Sequence, residues 1–116
     1  METNKMLELA KETRKKIRGV FGERVDTIAG YDYVEEPNHQ TFKLDFEAYD
    51  YFAIEFDYEN DMYEFFIVLS KEVKLSLTKE PAVYSKIIDW ESYLKGIKDE
   101  LELRIPDKFL KAKGWL

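Results

Sequence analysis

The sequence predicts an α+β fold: an N-terminal helix, an antiparallel five-stranded meander sheet and one or two C-terminal helices, in a single domain over residues 1–116. Three observations predict it. Apolar residues recur every three to four positions near both ends of the chain. Through the middle they alternate with polar residues. The stretches between the alternating runs are short, which favours antiparallel neighbours over crossover connections.

The first helix is predicted over residues 3–21, where Met6, Leu9, Ala10, Thr13, Ile17, Val20 and Phe21 form one stripe. Thr3 or Asn4 can cap its start, and Gly22 suits the left-handed residue that ends it. Its other faces carry Lys11, Arg14, Lys15, Lys16 and Arg18, which read as a solvated face. Glu12 lies four residues before Lys16 in the favourable order.

After Gly22 the period becomes two. Val25, Thr27, Ala29, Tyr31 and Tyr33 predict a first strand, with a bulge at Gly30 and a turn over residues 35–39. Phe42, Leu44 and Phe46 alternate with Lys43, Asp45 and Glu47. Phe52, Ile54 and Phe56 alternate with Tyr51, Ala53, Glu55 and Asp57. Glu59, Asn60 and Asp61 read as a hairpin turn. Residues 62–69 are nearly all apolar, as a central strand would be, and Val73, Leu75 and Leu77 predict the last strand before Pro81 breaks the sheet. Asp89 is a candidate N-cap for a helix striped by Trp90, Tyr93, Leu94, Ile97 and Leu101, which Pro106 ends. A short helix over residues 107–113 closes at Gly114, leaving Trp115 and Leu116 to fold back on the body.

Composition excludes several function classes. The chain has 18 aromatic residues, enough for a heavy core, and no cysteine, which rules out disulfides, thiol nucleophiles and Cys-type zinc sites. The longest aliphatic and aromatic run, residues 65–69, is far below the roughly 20 residues a membrane helix needs, and no apolar leader segment follows Met1, so a cytoplasmic protein without membrane contact is expected. Charge is uneven. Residues 23–64 hold 13 acids against Arg24 and Lys43, while the flanking segments are net positive and the whole chain is −6. Such a centre repels nucleic-acid phosphates and attracts a basic partner.

Catalytic constellations find little support in the residues. His39 is the only histidine and sits among turn residues, so a three-histidine zinc site is impossible. None of the four serines stands in a nucleophile-elbow setting, and no glycine-rich phosphate loop exists. Acids at Asp57, Glu59 and Asp61 begin like a calcium loop, but Met62 replaces the required Gly and Val68 the bidentate Glu. One enzymatic alternative is a metal-dependent nuclease. Asp57 or Asp61 followed by Glu72 and Lys74 has the layout in which carboxylates hold magnesium and a lysine lies by the attacked phosphate, provided Glu72 and Lys74 share one strand face. The expected reading has neither metal, cofactor nor catalytic residues.

A surface remains. With Phe42, Leu44, Phe46, Phe52, Ile54 and Phe56 facing the helices, the other sheet face presents Asp45, Glu47, Tyr51, Glu55, Asp57 and Glu64, beside Phe66 and Val68 and the hairpin acids Glu59 and Asp61. Carboxylates set among aromatics suit a partner rich in Lys and Arg. These seven acids and one tyrosine, Asp45, Glu47, Tyr51, Glu55, Asp57, Glu59, Asp61 and Glu64, are the predicted partner-binding residues.

In its size, acidity, lack of cysteine and order of elements, with the ending RIPDKFLKAKGWL within residues 103–116, the chain resembles bacterial immunity proteins of contact-dependent inhibition and other polymorphic toxin systems. The likeness runs over the whole chain without a shared motif and carries over no site residue. It implies cytoplasmic residence, no catalysis, and binding to a cognate toxin, often a nuclease, whose active site is blocked. Small phage-encoded inhibitors of host defence nucleases share the same features.

Overall fold

The computed structural model describes residues 5–115. Helix α1 (Lys5–Phe21) is followed by strands β1 (Ala29–Glu36), β2 (His39–Ala48), β3 (Phe52–Glu59), β4 (Met62–Val68), β5 (Lys74–Ser76) and β6 (Ala82–Val83), then helices α2 (Trp90–Glu102) and α3 (Asp107–Ala112). Neighbouring strands pair antiparallel in the order β1-β2-β3-β4-β5, and β6 adds to the free end of the β4 edge. The fold is α+β, with a meander whose helices cover one face.

Helix α1 buries Met6, Ala10, Thr13, Ile17 and Phe21, the predicted stripe, and Phe21 meets Phe46 edge-on at 6.4 Å. Each large apolar side chain covered in this way contributes about 2 kcal/mol. Gly22 ends the helix at φ +58. The Arg18 guanidinium then donates to the carbonyls of Val25 and Asp26, and Arg14 to that of Ile28, so two of the basic residues tie down the following segment. Lys16 lies 4.9 Å from the Trp90 ring centre, and Lys11 pairs with Glu8. The predicted caps Thr3 and Asn4, and Leu116, lie outside the described residues.

The buried sheet face carries Phe42, Leu44, Phe46 and Ala48 of β2, Ile54, Phe56 and Tyr58 of β3, and Tyr63, Phe65 and Ile67 of β4. Period two then sends the intervening residues to the other face. The β3–β4 turn has Asn60 and Asp61 at φ +47 and +67, the left-handed pair a two-residue hairpin requires. Asp89 caps α2 by accepting from the Ser92 backbone N–H, and Trp115 folds back edge-on to Tyr49 at 5.4 Å, both as predicted.

Several local expectations are corrected. Strand β1 begins at Ala29, and Val25 makes only an isolated bridge to Ala48, because Arg18 occupies the carbonyls of Val25 and Asp26. The bulge falls between Tyr31 and Val34, with Asp32 at φ +55, while Gly30 serves instead to admit the Tyr33 ring. The last strand, predicted from Val73, Leu75 and Leu77, is only the three-residue edge strand β5, and Val73 and Leu75 are exposed. Strand β6 was not expected after Pro81; it forms because Asp61 holds the chain beside β4.

Candidate functional site: the open acidic sheet face

Helices α1 and α2 pack against the apolar face through residues such as Phe21 and Tyr93, and α3 buries Leu110 in the same core. Register fixes what the other face presents. One cross-strand row runs Ala29, Asp45, Glu55, Phe66, Ser76; the next runs Tyr31, Lys43, Asp57, Glu64; a third holds Glu47, Ala53, Val68 and Lys74. With Glu59 at the hairpin end, where it lies 3.5 Å from His39 Nε2, six of the 13 central acids stand on this one face beside two lysines, Lys43 and Lys74. The α1 cations lie across the sheet, and no ion pair among the described residues joins them to these acids.

The centre of the face is a tight carboxylate cluster. Glu55 is buried, and its Oε2 accepts from Lys74 Nζ at 2.6 Å. The same ammonium stands 5.3 Å from the Phe66 ring centre. Burial opposes ionisation of Glu55, but hydrogen bonding with Asp57 and with Lys74 outweighs it and holds the Glu55 carboxyl below its ordinary value. Asp57 moves the other way. Burial, followed by the hydrogen bond and negative charge of Glu55, pushes its pKa up to about 7. The pair behaves as two close carboxyl groups that hold one proton between them. Oδ1 of Asp57 is buried and meets no donor among the described residues. Lys43 faces Asp57 in register, yet its ammonium contacts Asp32 at 3.9 Å. Asp45 accepts from the Tyr31 hydroxyl at 3.0 Å, and burial raises the pKa values of both.

Beside Glu64 the face opens into a groove of about 540 Å³, lined by Asp57, Glu59 and Glu64 on its polar side and Met62, Phe66 and Pro81 on its apolar side. No lysine or arginine among the described residues lines it. It lies along the stretch of β4 between the parts paired with β5 and β6.

Of the predicted partner-binding residues, Asp45, Glu47, Glu55, Asp57, Glu59 and Glu64 come together here. Tyr51 does not. It lies in the β2–β3 turn, edge-on to Phe52 at 4.9 Å and Phe109 at 5.0 Å, because the chain leaves the strand at Ala48 and turns under α3. Asp61 is also diverted: its carboxylate accepts from the Ser85 backbone N–H at 3.0 Å and from the Ser85 hydroxyl at 2.6 Å, pinning the turn after β6. Phe66 and Val68 are on the open face, half-buried. Glu72 and Lys74 do not share a strand face. Glu72 sits in the turn before β5, and Lys74 is engaged by Glu55, so the layout required for the nuclease alternative is not formed. Among the described residues, no group of three or more His, Cys, Asp or Glu is arranged to hold a metal ion.

Tyr31, Lys43 and Lys74 belong to the face but were not among the predicted residues. For Lys43 the signal was present in the alternation with Phe42 and Leu44; for Lys74 it depends on the register across the β4–β5 turn. No described helix is long and apolar enough to cross a membrane. No protein-family model matches the sequence, and neither a curated protein nor a solved structure is significantly similar to it.

Proposed function

We propose that this chain is a cytoplasmic, non-enzymatic immunity protein that binds a cognate basic toxin domain, a nuclease, through its open sheet face. The observation that carries this reading is the gathering of six carboxylates on the one sheet face that no helix covers, on the opposite side from α1. A rigid sheet presents them at fixed spacing, so little order is lost on binding. Opposite charge speeds encounter with a basic nuclease, and desolvated carboxylate pairs then supply specificity. Covering the phosphate-binding surface of such an enzyme would exclude its substrate without any chemistry by the inhibitor.

The test is co-expression in bacteria with nuclease toxin domains, beginning with any encoded by a neighbouring gene for a large secreted protein with a variable C-terminus. Wild-type protein should restore growth and co-purify with the toxin at low salt. A triple charge reversal at the surface acids, Glu47→Lys, Glu59→Lys and Glu64→Lys, should abolish both while leaving the circular dichroism spectrum unchanged. Protection that survives the triple reversal overturns the assignment of this face.

A further inference from the structure

We propose that the groove beside Phe66 is a socket for an arginine side chain of the basic partner, with Asp57 and Glu64 receiving the guanidinium and Met62, Phe66 and Pro81 packing its stem. The inference deepens the inhibitor reading and takes from it only the partner's basic character.

The protein already displays this mode of recognition on a neighbouring part of the same face. Along β4, Phe66 is flanked on the open face by Val68 in one direction and Glu64 in the other. Toward Val68, Lys74 reaches in from β5, stands 5.3 Å from the Phe66 ring centre and binds the buried Glu55 carboxylate at 2.6 Å. Toward Glu64, the same components recur, an aromatic edge and carboxylates from β3 and β4, but with open space where the cation would be. An internal lysine satisfies the first site; a cation from outside is needed at the second.

Arginine fits better than lysine on two counts. Asp57 and Glu64 are cross-strand partners and both line the groove, and a planar fork of N–H donors can reach for two carboxylates where a single ammonium is a point charge. The Phe66 ring offers a surface on which a guanidinium stacks while its stem lies over Met62 and Pro81. The groove, about 540 Å³, accommodates a full arginine side chain. Because Asp57 shares a proton with Glu55, a bound guanidinium should release it, so the Asp57 pKa should fall when the socket fills.

The experiment is an NMR titration of the whole protein with the peptide acetyl-Gly-Arg-Gly-amide, in parallel with its lysine and citrulline counterparts. The arginine peptide should give saturable shifts confined to Asp57, Met62, Glu64 and Phe66 and lower the Asp57 carboxyl pKa. The lysine peptide should bind more weakly and the neutral citrulline peptide not at all. Glu64→Gln and Phe66→Leu, both conservative changes on a half-buried surface, should each weaken arginine binding about three- to fivefold. Shifts spread without saturation over all the acids, equal binding of lysine or citrulline, or affinity unchanged in both variants would overturn the socket. Failure here is separable from failure of the inhibitor reading. Arginine docking without toxin neutralisation retires only the inhibitor, and neutralisation without arginine docking retires only the socket.

Discussion

Lys74 Nζ lies 2.6 Å from Oε2 of Glu55, joining the edge strand β5 to the middle of the sheet over the intervening β4. The Glu55 side chain is 9% exposed and that of Lys74 34%. The bond therefore sits between the surface regime, where ion pairs contribute little, and the buried regime, where breaking one strands a charge. Lys74→Met should cost about 2 kcal/mol, because the Glu55 carboxylate stays buried without its cation. The double variant Lys74→Met with Glu55→Gln should recover at least half of that loss. Urea unfolding of the four proteins in the cycle measures the coupling; additive costs would show that the pair contributes no interaction energy.

The Glu55–Asp57 pair makes stability depend on pH in a stated direction. Asp57 has an ordinary pKa of 3.8 and reaches about 7 in the fold, so between these values the folded state holds the extra proton and stability falls as pH rises. Glu55, held below its ordinary 4.5, acts oppositely: its contribution is present above that value and is lost as pH drops through the lowered one. Lys43 from β2 and Lys74 from β5 favour the ionised forms, while Asp45 and Glu64 face the pair as further acids. These two groups place the stability maximum at about pH 4, with a decline toward pH 8. Asp57→Asn removes the charge that burial penalises and should stabilise the protein by about 1–2 kcal/mol at pH 8, with a smaller effect at pH 5. Thermal melts at the two pH values decide it; an Asn variant with the wild-type slope would refute the assignment.

What the sequence made legible follows from local periodicity. Phe42, Leu44 and Phe46 alternate with Lys43, Asp45 and Glu47, and one residue of slip would expose every phenylalanine, so strand and face were both determined. The same alternation assembled most of the candidate face. The missing parts depend on relationships between strands or on chain ends. Alternation cannot tell that Lys74 will reach Glu55, because that requires the β4–β5 register. Nor can it tell that Asp61, in a left-handed turn, will turn its carboxylate to Ser85 rather than to solvent. Val73 and Leu75 have the composition of inward residues, but inwardness needs a cover, and the helices do not extend over β5.

Gly30 and Tyr33 are coupled through the bulge in β1. A Cβ on Gly30 would lie 2.0 Å from the Tyr33 hydroxyl oxygen and 3.0 Å from Cζ, so the tyrosine ring occupies the space that any side chain at position 30 would need. Gly30→Ala must therefore push the ring aside, at about 1–2 kcal/mol. In a Tyr33→Ala background the same substitution should cost little or nothing. Chemical unfolding of the two single variants and the double one measures this, and an equal penalty in both backgrounds would place the strain elsewhere.

Thr13 and Tyr84 form the polar contact at the centre of the helix–sheet interface. Thr13 is fully buried, and its hydroxyl proton is committed to the Leu9 carbonyl at 2.8 Å. The 2.7 Å contact with the Tyr84 hydroxyl must then have tyrosine as the donor, and burial raises the Tyr84 pKa so that the proton is retained. Thr13→Val leaves that O–H buried without an acceptor and should cost about 1–2 kcal/mol, more than Tyr84→Phe, which removes the donor and leaves a threonine oxygen that still donates to Leu9. The double variant should be about 1 kcal/mol more stable than the sum of the single costs implies, because no polar atom of the pair is left stranded. A slowly exchanging Tyr84 hydroxyl proton, lost in Thr13→Val, would report the same bond directly. If the costs add and no such proton is seen, the contact is packing alone, and the preference for threonine in a stripe otherwise made of apolar residues needs another cause.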